Sequence, residues 1–412
     1  MYLKGSKYNL QKRRRIRRTN PALIVLLLAL IAMVCYFNQY VVPEVSGVVQ
    51  ATVTPTANAE ALVSLAAQQF AEGNLFLAMS SYGQAILADP TNAGLHTELA
   101  RVQVLAGQYE IAETSARNGL ILSPNSARAH AVLGWVLVFL NQPVDAEREL
   151  IEALALDPDL AEAHAYYAEL LVNLEQYERA GDSSRRALEL DPNSLDVLRA
   201  RAYVLEVTGN YEEAAEQYRA ALSRNDRIPS LHLGLGRTLW SLGLIDEAVD
   251  EFNLADALNP ADPLPDSYIA RIYLQIGEFA KAVQFAKKAA EDDPANPRRY
   301  GAWGVALYRN QQYAEAADAF SLAIHGGLNA NNQPVQGLPL NYDVAEYYTL
   351  YGLALARANR CTEALPIFQA IIAGLPADEL SQTNAQAGIE LCGAQVDTPP
   401  TATPDPSASP TP

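Results

Sequence analysis

An all-α solenoid of about nine helix-turn-helix repeats, ended by a C-terminal capping helix and preceded by one transmembrane helix, is the fold class the sequence predicts. Three observations predict it. A proline recurs every 34 residues, two columns of small residues keep the same period, and one uncharged apolar stretch directly follows a basic block.

The N-terminal elements come first. The chain has 412 residues, half of them apolar, which suffices for one long repeat array. Its net charge of −17 is unevenly placed. Residues 1–43 hold eight of the 30 Lys/Arg and none of the 47 Asp/Glu, so residues 44–412 carry 22 basic residues against 47 acidic ones. An acidic surface repels phosphate backbones, excludes nucleic acid as a partner and keeps an array soluble. Residues 1–20 form the basic N-terminus. Ala22 to Val42 then carry no charge, and Pro21 and Pro43 bracket them. Such a stretch spans about 31 Å as a helix, which matches a hydrocarbon core of about 30 Å.

The next basic residue is Arg101. The positive-inside rule therefore predicts a single-pass plasma-membrane protein, with residues 21–43 as signal anchor, the N-terminus cytoplasmic and the array extracytoplasmic. A cleaved signal peptide is the rival reading. Its A-x-A site, Ala57-Asn58-Ala59, lies well beyond the apolar run, whereas cleavage normally follows a shorter core closely. The run Arg13-Arg14-Arg15-Ile16 lacks the rest of a twin-arginine signal. Residues 44–58 read as a Thr/Val/Pro-bearing linker.

The repeats begin at residue 59. Pro90, Pro124, Pro158 and Pro192 are 34 residues apart, Asp226 stands where the next is due, and the series resumes at Pro260 and Pro294. Alignment on this period gives eight contiguous repeats over 59–330 and a ninth over 345–378. Position 8 is always small: Ala66, Ala100, Gly134, Ala168, Ala202, Gly236, Ala270, Gly304 and Gly352. Position 20 is alanine in every repeat, from Ala78 to Ala364. Positions 4, 7, 8 and 11 make a helical stripe, and positions 20, 24 and 27 face it from a second helix. Small residues at 8 and 20 let the two helices approach closely. Gly73, Gly107, Gly209, Gly243 and Gly277 fall at position 15, where a left-handed residue ends the first helix. The residue before each proline ends the second helix.

These columns resemble the tetratricopeptide repeat, over roughly three quarters of the chain. The resemblance implies a right-handed superhelical solenoid that binds peptide segments of other proteins in a concave groove lined by positions 2, 5, 9, 12 and 13. Carried over residue by residue, the groove holds Trp135 and Phe139 in repeat three, Tyr203 in repeat five, and Arg237 with Trp240 in repeat six. Further along it holds Arg271, Arg298, Tyr308 with Arg309, and Arg357. Aromatic and arginine side chains are the usual anchors of protein interfaces. Two readings of the arginines stay open: they meet an acidic partner, or they pair with Glu/Asp on adjacent helices. The Lys/Asn carboxylate clamp of some family members is not matched.

The remaining segments follow the array. Residues 331–344 interrupt the period with a polar, Gly/Pro-punctuated loop. Residues 379–396 read as a capping helix, and 397–412 as a Thr/Pro-rich tail with no capacity to pack. Cys35 lies in the membrane span. Cys361, at position 17 of repeat nine, and Cys392, near the end of the capping helix, either form a disulfide or act as separate small apolar residues.

No catalytic, cofactor or metal constellation emerges. His96, His130, His164 and His232 all occupy position 4 of their repeats, too far apart to share a metal ion, and they read as seam-filling side chains. Glu212-Glu213 opens a second helix, where carboxylates suit the helix dipole. The expectation is a non-enzymatic, membrane-anchored scaffold in a bacterial envelope assembly. The alternative is an accessory subunit recruiting substrate to an envelope enzyme, with an enzyme of unrecognised type behind both.

Overall fold

A computed structural model describes residues 58–396. The basic N-terminus, the span at 21–43, nearly all of the linker and the tail from 397 lie outside the described residues. Within them no helix is long and apolar enough to cross a membrane.

Nineteen α-helices occur among the described residues, two per repeat and one at the end. The first helices of the repeats are α1 (Ala59–Ala71), α3 (Ala93–Leu105), α5 (Ala127–Phe139), α7 (Ala161–Asn173), α9 (Leu195–Val207), α11 (Pro229–Ser241), α13 (Pro263–Gln275), α15 (Pro297–Arg309) and α17 (Ala345–Arg357). Their partners are α2 (Leu75–Ala88), α4 (Tyr109–Leu122), α6 (Pro143–Leu156), α8 (Tyr177–Leu190), α10 (Tyr211–Leu222), α12 (Ile245–Leu258), α14 (Phe279–Asp292), α16 (Tyr313–His325) and α18 (Cys361–Gly374). The final helix, α19, covers Glu379–Val396.

Each first helix ends on a left-handed residue at position 15. Five are the glycines named above, with φ between 77° and 83°. The other four are Asn141, Glu175, Gln311 and Asn359, with φ from 54° to 65°. The turn geometry therefore holds even without glycine, because backbone bonds close it: the Asn74 N–H reaches the Gln69 carbonyl at 2.8 Å across Gly73. Second helices end at an extended residue such as Asp157 (φ −143°, ψ 96°), as the following proline requires.

Position 4 joins neighbouring repeats. The Nε2 atoms of His130, His164 and His232 lie 2.8–2.9 Å from the carbonyls of Pro124, Pro158 and Asp226, and the Tyr300 hydroxyl donates to the Pro294 carbonyl at 3.0 Å. The carbonyl in each case is that of position 32 in the preceding repeat. The histidine column thus ties inter-repeat turns to the next helix.

Positions 8 and 24 are complementary in size. A Cβ added at Gly236 would stand 2.7 Å from the Phe252 ring, and one at Gly304 would stand 2.8 Å from the Phe320 ring. Both rings are fully buried. Glycine is needed there because an aromatic ring already fills the space its side chain would take.

The missing proline at 226 has a structural counterpart. α10 has 12 residues where other second helices have 13 or 14. The loop after it reaches back to repeat one. The Asn225 side chain donates to the Phe70 carbonyl at 2.8 Å, and the aliphatic stem of Arg227 packs over Gly73. Repeats two and five also meet, through an ion pair of 3.2 Å between Arg101 and Asp196. Repeats three and four apart in sequence are therefore in contact.

The interruption before repeat nine is folded rather than loose. Gly327–Leu328 (β1) pairs antiparallel with Pro334–Val335 (β2). The Leu338 N–H bonds the Ala323 carbonyl at 3.0 Å, and the Tyr348 hydroxyl bonds the Leu338 carbonyl at 2.8 Å. Asn329, nearly buried, donates to the Pro294 carbonyl at 3.1 Å.

Of the two readings of the cysteines, the structure adopts the disulfide: Cys361 and Cys392 are bonded, with Cα atoms 5.5 Å apart and a sequence separation of 31. The bridge fixes α19 onto the last repeat. Replacing both cysteines by alanine should cost about 2–4 kcal/mol. Because each repeat contacts mainly its neighbours, the loss should be local. Hydrogen exchange should accelerate at Glu379–Val396 and in repeat nine, and stay unchanged in repeats three to six.

Candidate functional site

The first helices carry the inner face, and the ten residues predicted to line it divide into two groups. Trp135 is 1% exposed and already occupied by its own chain. Its indole stacks on Tyr166 at 4.4 Å, and the Arg199 guanidinium lies 4.5 Å over the ring. Its Nε1 donates to Glu169 at 3.0 Å. Trp135 is thus a buried post of the inner wall, not an open anchor, and this corrects the sequence-based expectation. Phe139 remains 40% exposed and stacks on Tyr109 at 4.6 Å. Tyr203 is half-buried and donates to Asn173 at 3.3 Å. Arg237 is half-buried and bidentate to Glu206, at 2.6 and 2.9 Å. For Arg237 the internal-pairing reading is the one realised.

The inner wall of repeats two to five contains charges the sequence reading did not single out. Glu169 accepts from Trp135 and pairs with Arg199 at 2.5 Å, with both side chains over nine-tenths buried. Burial pushes the Glu169 carboxyl up, against the pull of Arg199 and Trp135. Burial opposes the charge on Arg199, yet Glu169 and Asp196 outweigh it and raise its pKa. Asp196 accepts from the Tyr166 hydroxyl at 3.0 Å and pairs with Arg101. A signal for these pairs exists in the sequence. Tyr166–Asp196, Glu169–Arg199 and Asn173–Tyr203 are each 30 residues apart, and Glu206–Arg237 are 31 apart. That spacing joins inner-face positions of consecutive first helices.

Repeats six to nine differ. Trp240 is half-buried, donates to Gln275 at 3.1 Å, and has the Arg271 guanidinium 5.0 Å over its ring. Arg271, Arg298, Arg309 and Arg357 are exposed, and none forms an ion pair with a carboxylate among the described residues. Arg357 instead bonds the Tyr313 hydroxyl at 3.2 Å and lies over the rings of Tyr308 and Tyr313. Arg309 borders a notch with Leu274, Phe279 and Val305. Arg271 and Arg357 are thus exposed cations seated on aromatic rings, and the notch at Arg309 is lined also by Glu346.

Among the described residues no group of three His, Cys, Asp or Glu side chains could hold a metal ion. Besides its bond to the preceding turn, His130 lies 2.8 Å from Glu149 and His232 lies 2.6 Å from Glu251.

A tetratricopeptide-repeat family model matches residues 132–194, 199–263 and 269–333. A solved tetratricopeptide repeat protein from Parabacteroides merdae is similar at 19% identity, over 60% of this chain and 98% of its own, with a TM-score of 0.40. The pilF protein of Pseudomonas aeruginosa is similar at 20% identity, over 54% of this chain and 96% of its own, with a TM-score of 0.38. No curated protein matches the chain.

The His232 pair makes stability depend on pH. Burial disfavours the imidazolium, but Glu251 and the Asp226 carbonyl outweigh it and raise the pKa above 6.5. The folded chain then holds this proton more tightly than the unfolded chain. Its stabilisation is complete below pH 6.5 and lost as pH rises through the folded value. Asp266, whose carboxyl burial pushes up to about 6, acts with the same sign at lower pH. The denaturant midpoint should therefore fall as pH rises above 6.5, and His232→Gln should flatten that fall.

Proposed function

Because the chain belongs to the tetratricopeptide-repeat family, we propose that it is a membrane-anchored protein-binding scaffold. The open inner face of repeats six to nine takes a carboxylate-bearing segment of a partner protein in a bacterial envelope assembly. No reaction is assigned to it. The observation that carries this reading is the contrast in arginine pairing. Arg101, Arg199 and Arg237 each meet a carboxylate on the inner face. Arg271, Arg298, Arg309 and Arg357 meet none among the described residues, in a chain of net charge −17. A guanidinium propped on an aromatic ring is placed to make a two-point bond with an incoming carboxylate. Trp240 and Tyr308 supply the flat apolar contacts typical of interface hot spots.

The anchor in this reading is residues 21–43, with the basic residues 4–18 cytoplasmic and the array across the membrane. The Cys361–Cys392 disulfide supports an extracytoplasmic array, since such bonds persist in oxidising compartments.

Two experiments test the proposal. Crosslinking capture with the full chain should yield partners that are lost with Trp240→Ala plus Arg271→Ala. For an identified partner the loss should be at least about 2 kcal/mol, or about thirtyfold, while helicity is retained. Unchanged capture would remove the open groove as the binding site. For topology, a periplasmic reporter fused after residue 412 should be active. Neutralising Arg13, Arg14, Arg15, Arg17 and Arg18 together should weaken or invert that orientation. A reporter active only in the cytoplasm would reverse the assignment.

A further inference from the structure

The contacts between distant repeats enclose a chamber on the inner face. Its volume is about 350 Å³, the low end of the range for small-ligand sites. One side is formed by α3, α5, α7, α9 and α11. The other is formed by Asn259, Asp262 and Leu264, around the start of α13. The Asn225–Phe70 bond and the Arg227 stem over Gly73 hold the edge of repeat one against the loop that leads into Pro229.

The walls define what fits. Tyr109, Phe139, Tyr203 and Tyr218 present aromatic surface, and Val138 and Leu233 present aliphatic surface. The two guanidiniums in the wall are already paired with carboxylates, and Asp262 is held only by a backbone N–H. Arg199 is paired with Glu169, Arg237 with Glu206, and Asp262 accepts from the Leu264 N–H at 2.9 Å. An anionic ligand would lose its hydration and find both guanidiniums already committed to Glu169 and Glu206. Hydrogen-bonding capacity nevertheless remains. The hydroxyls of Tyr203 and Tyr218 are committed to Asn173 and Glu206. The Asn173 amide nitrogen, the Ser230 hydroxyl and the Asn259 carboxamide have no partner among the described residues.

We propose that this chamber binds one uncharged aromatic ring bearing a single polar substituent, of the phenol type, stacked against Phe139 with its substituent at Asn173, Ser230 or Asn259. The site is separate from the open groove: Trp240, Arg271 and Arg357 do not line it. Its test can therefore fail or succeed independently of the scaffold reading.

The experiment uses the full chain in detergent micelles, with its three tryptophans replaced by 5-fluorotryptophan, and p-cresol as the probe. Trp135 packs edge-on against Phe139 at 5.8 Å, so its fluorine resonance reports on the chamber, whereas Trp240 reports on the open groove. Saturable movement of the Trp135 resonance with Trp240 unmoved is the expected result. p-Hydroxybenzoate, which adds a carboxylate to the same ring, should bind at least about tenfold more weakly. Phe139→Ala should weaken p-cresol binding about tenfold. Asn173→Leu, at an exposed helix end, should narrow the preference for p-cresol over toluene. N-acetyltyrosinamide separates two sources of the ring: binding as tight as p-cresol assigns the chamber to a partner's tyrosine, and weaker binding assigns it to a free phenol. The proposal is overturned if Trp135 does not respond to millimolar p-cresol. It is equally overturned if the response is carried by Trp240, or persists undiminished in both variants.

Discussion

The close approach of paired helices at positions 8 and 20 of each repeat is the constraint on which the rest of this structure depends. Every residue at those positions is buried, from Ala66 and Ala78 to Gly352 and Ala364. Where position 8 is glycine, a large side chain at position 24 uses the freed space, as Phe252 does against Gly236. One hairpin still leaves an apolar face uncovered, and only the next hairpin covers it. The tie from position 4 to the preceding turn fixes how each hairpin meets the last. Repeated down the array, that geometry brings the first helices onto one inner face.

What the inner face does then depends on which charges it holds. In repeats two to five, Glu169, Arg199, Asp196 and Arg101 neutralise one another among stacked aromatic rings. Breaking such a buried pair on one side typically costs about 3–5 kcal/mol, so these residues specify structure more than they offer binding. In repeats seven to nine, Arg271, Arg298, Arg309 and Arg357 pair with no carboxylate among the described residues and stay exposed. One fold thus divides its inner surface into a partly open chamber and a stretch of exposed arginines.

The repeat itself was legible in the sequence because its columns are local: size at 8 and 20, glycine at 15, proline at 32. The left-handed turns at Asn141, Glu175, Gln311 and Asn359 were not, since backbone bonds rather than residue type impose them there. The groove column was misleading for Trp135, which is buried, whereas Arg271 in the same column is exposed. A residue in a groove column is buried when neighbouring columns supply Tyr166, Glu169 and Arg199 to cover it. Contacts across the array, such as Arg101–Asp196 and Asn225–Phe70, follow from rotation accumulated over several repeats, which no single column encodes. The irregular Asp226 marked the place without revealing the partner. The membrane span rests on sequence alone.

Repeat one rests against the loops flanking repeat six and narrows that part of the groove. Spin labels at the exposed positions Leu77 and Ala257, which border the same crevice, measure this directly by pulsed dipolar spectroscopy in the full chain with Cys35 replaced by serine. A closed array gives one short, narrow distance distribution, and Asn225→Ala together with Arg227→Gly broadens it. A long or broad distribution in the unmodified clasp, unchanged by those substitutions, would contradict the closure.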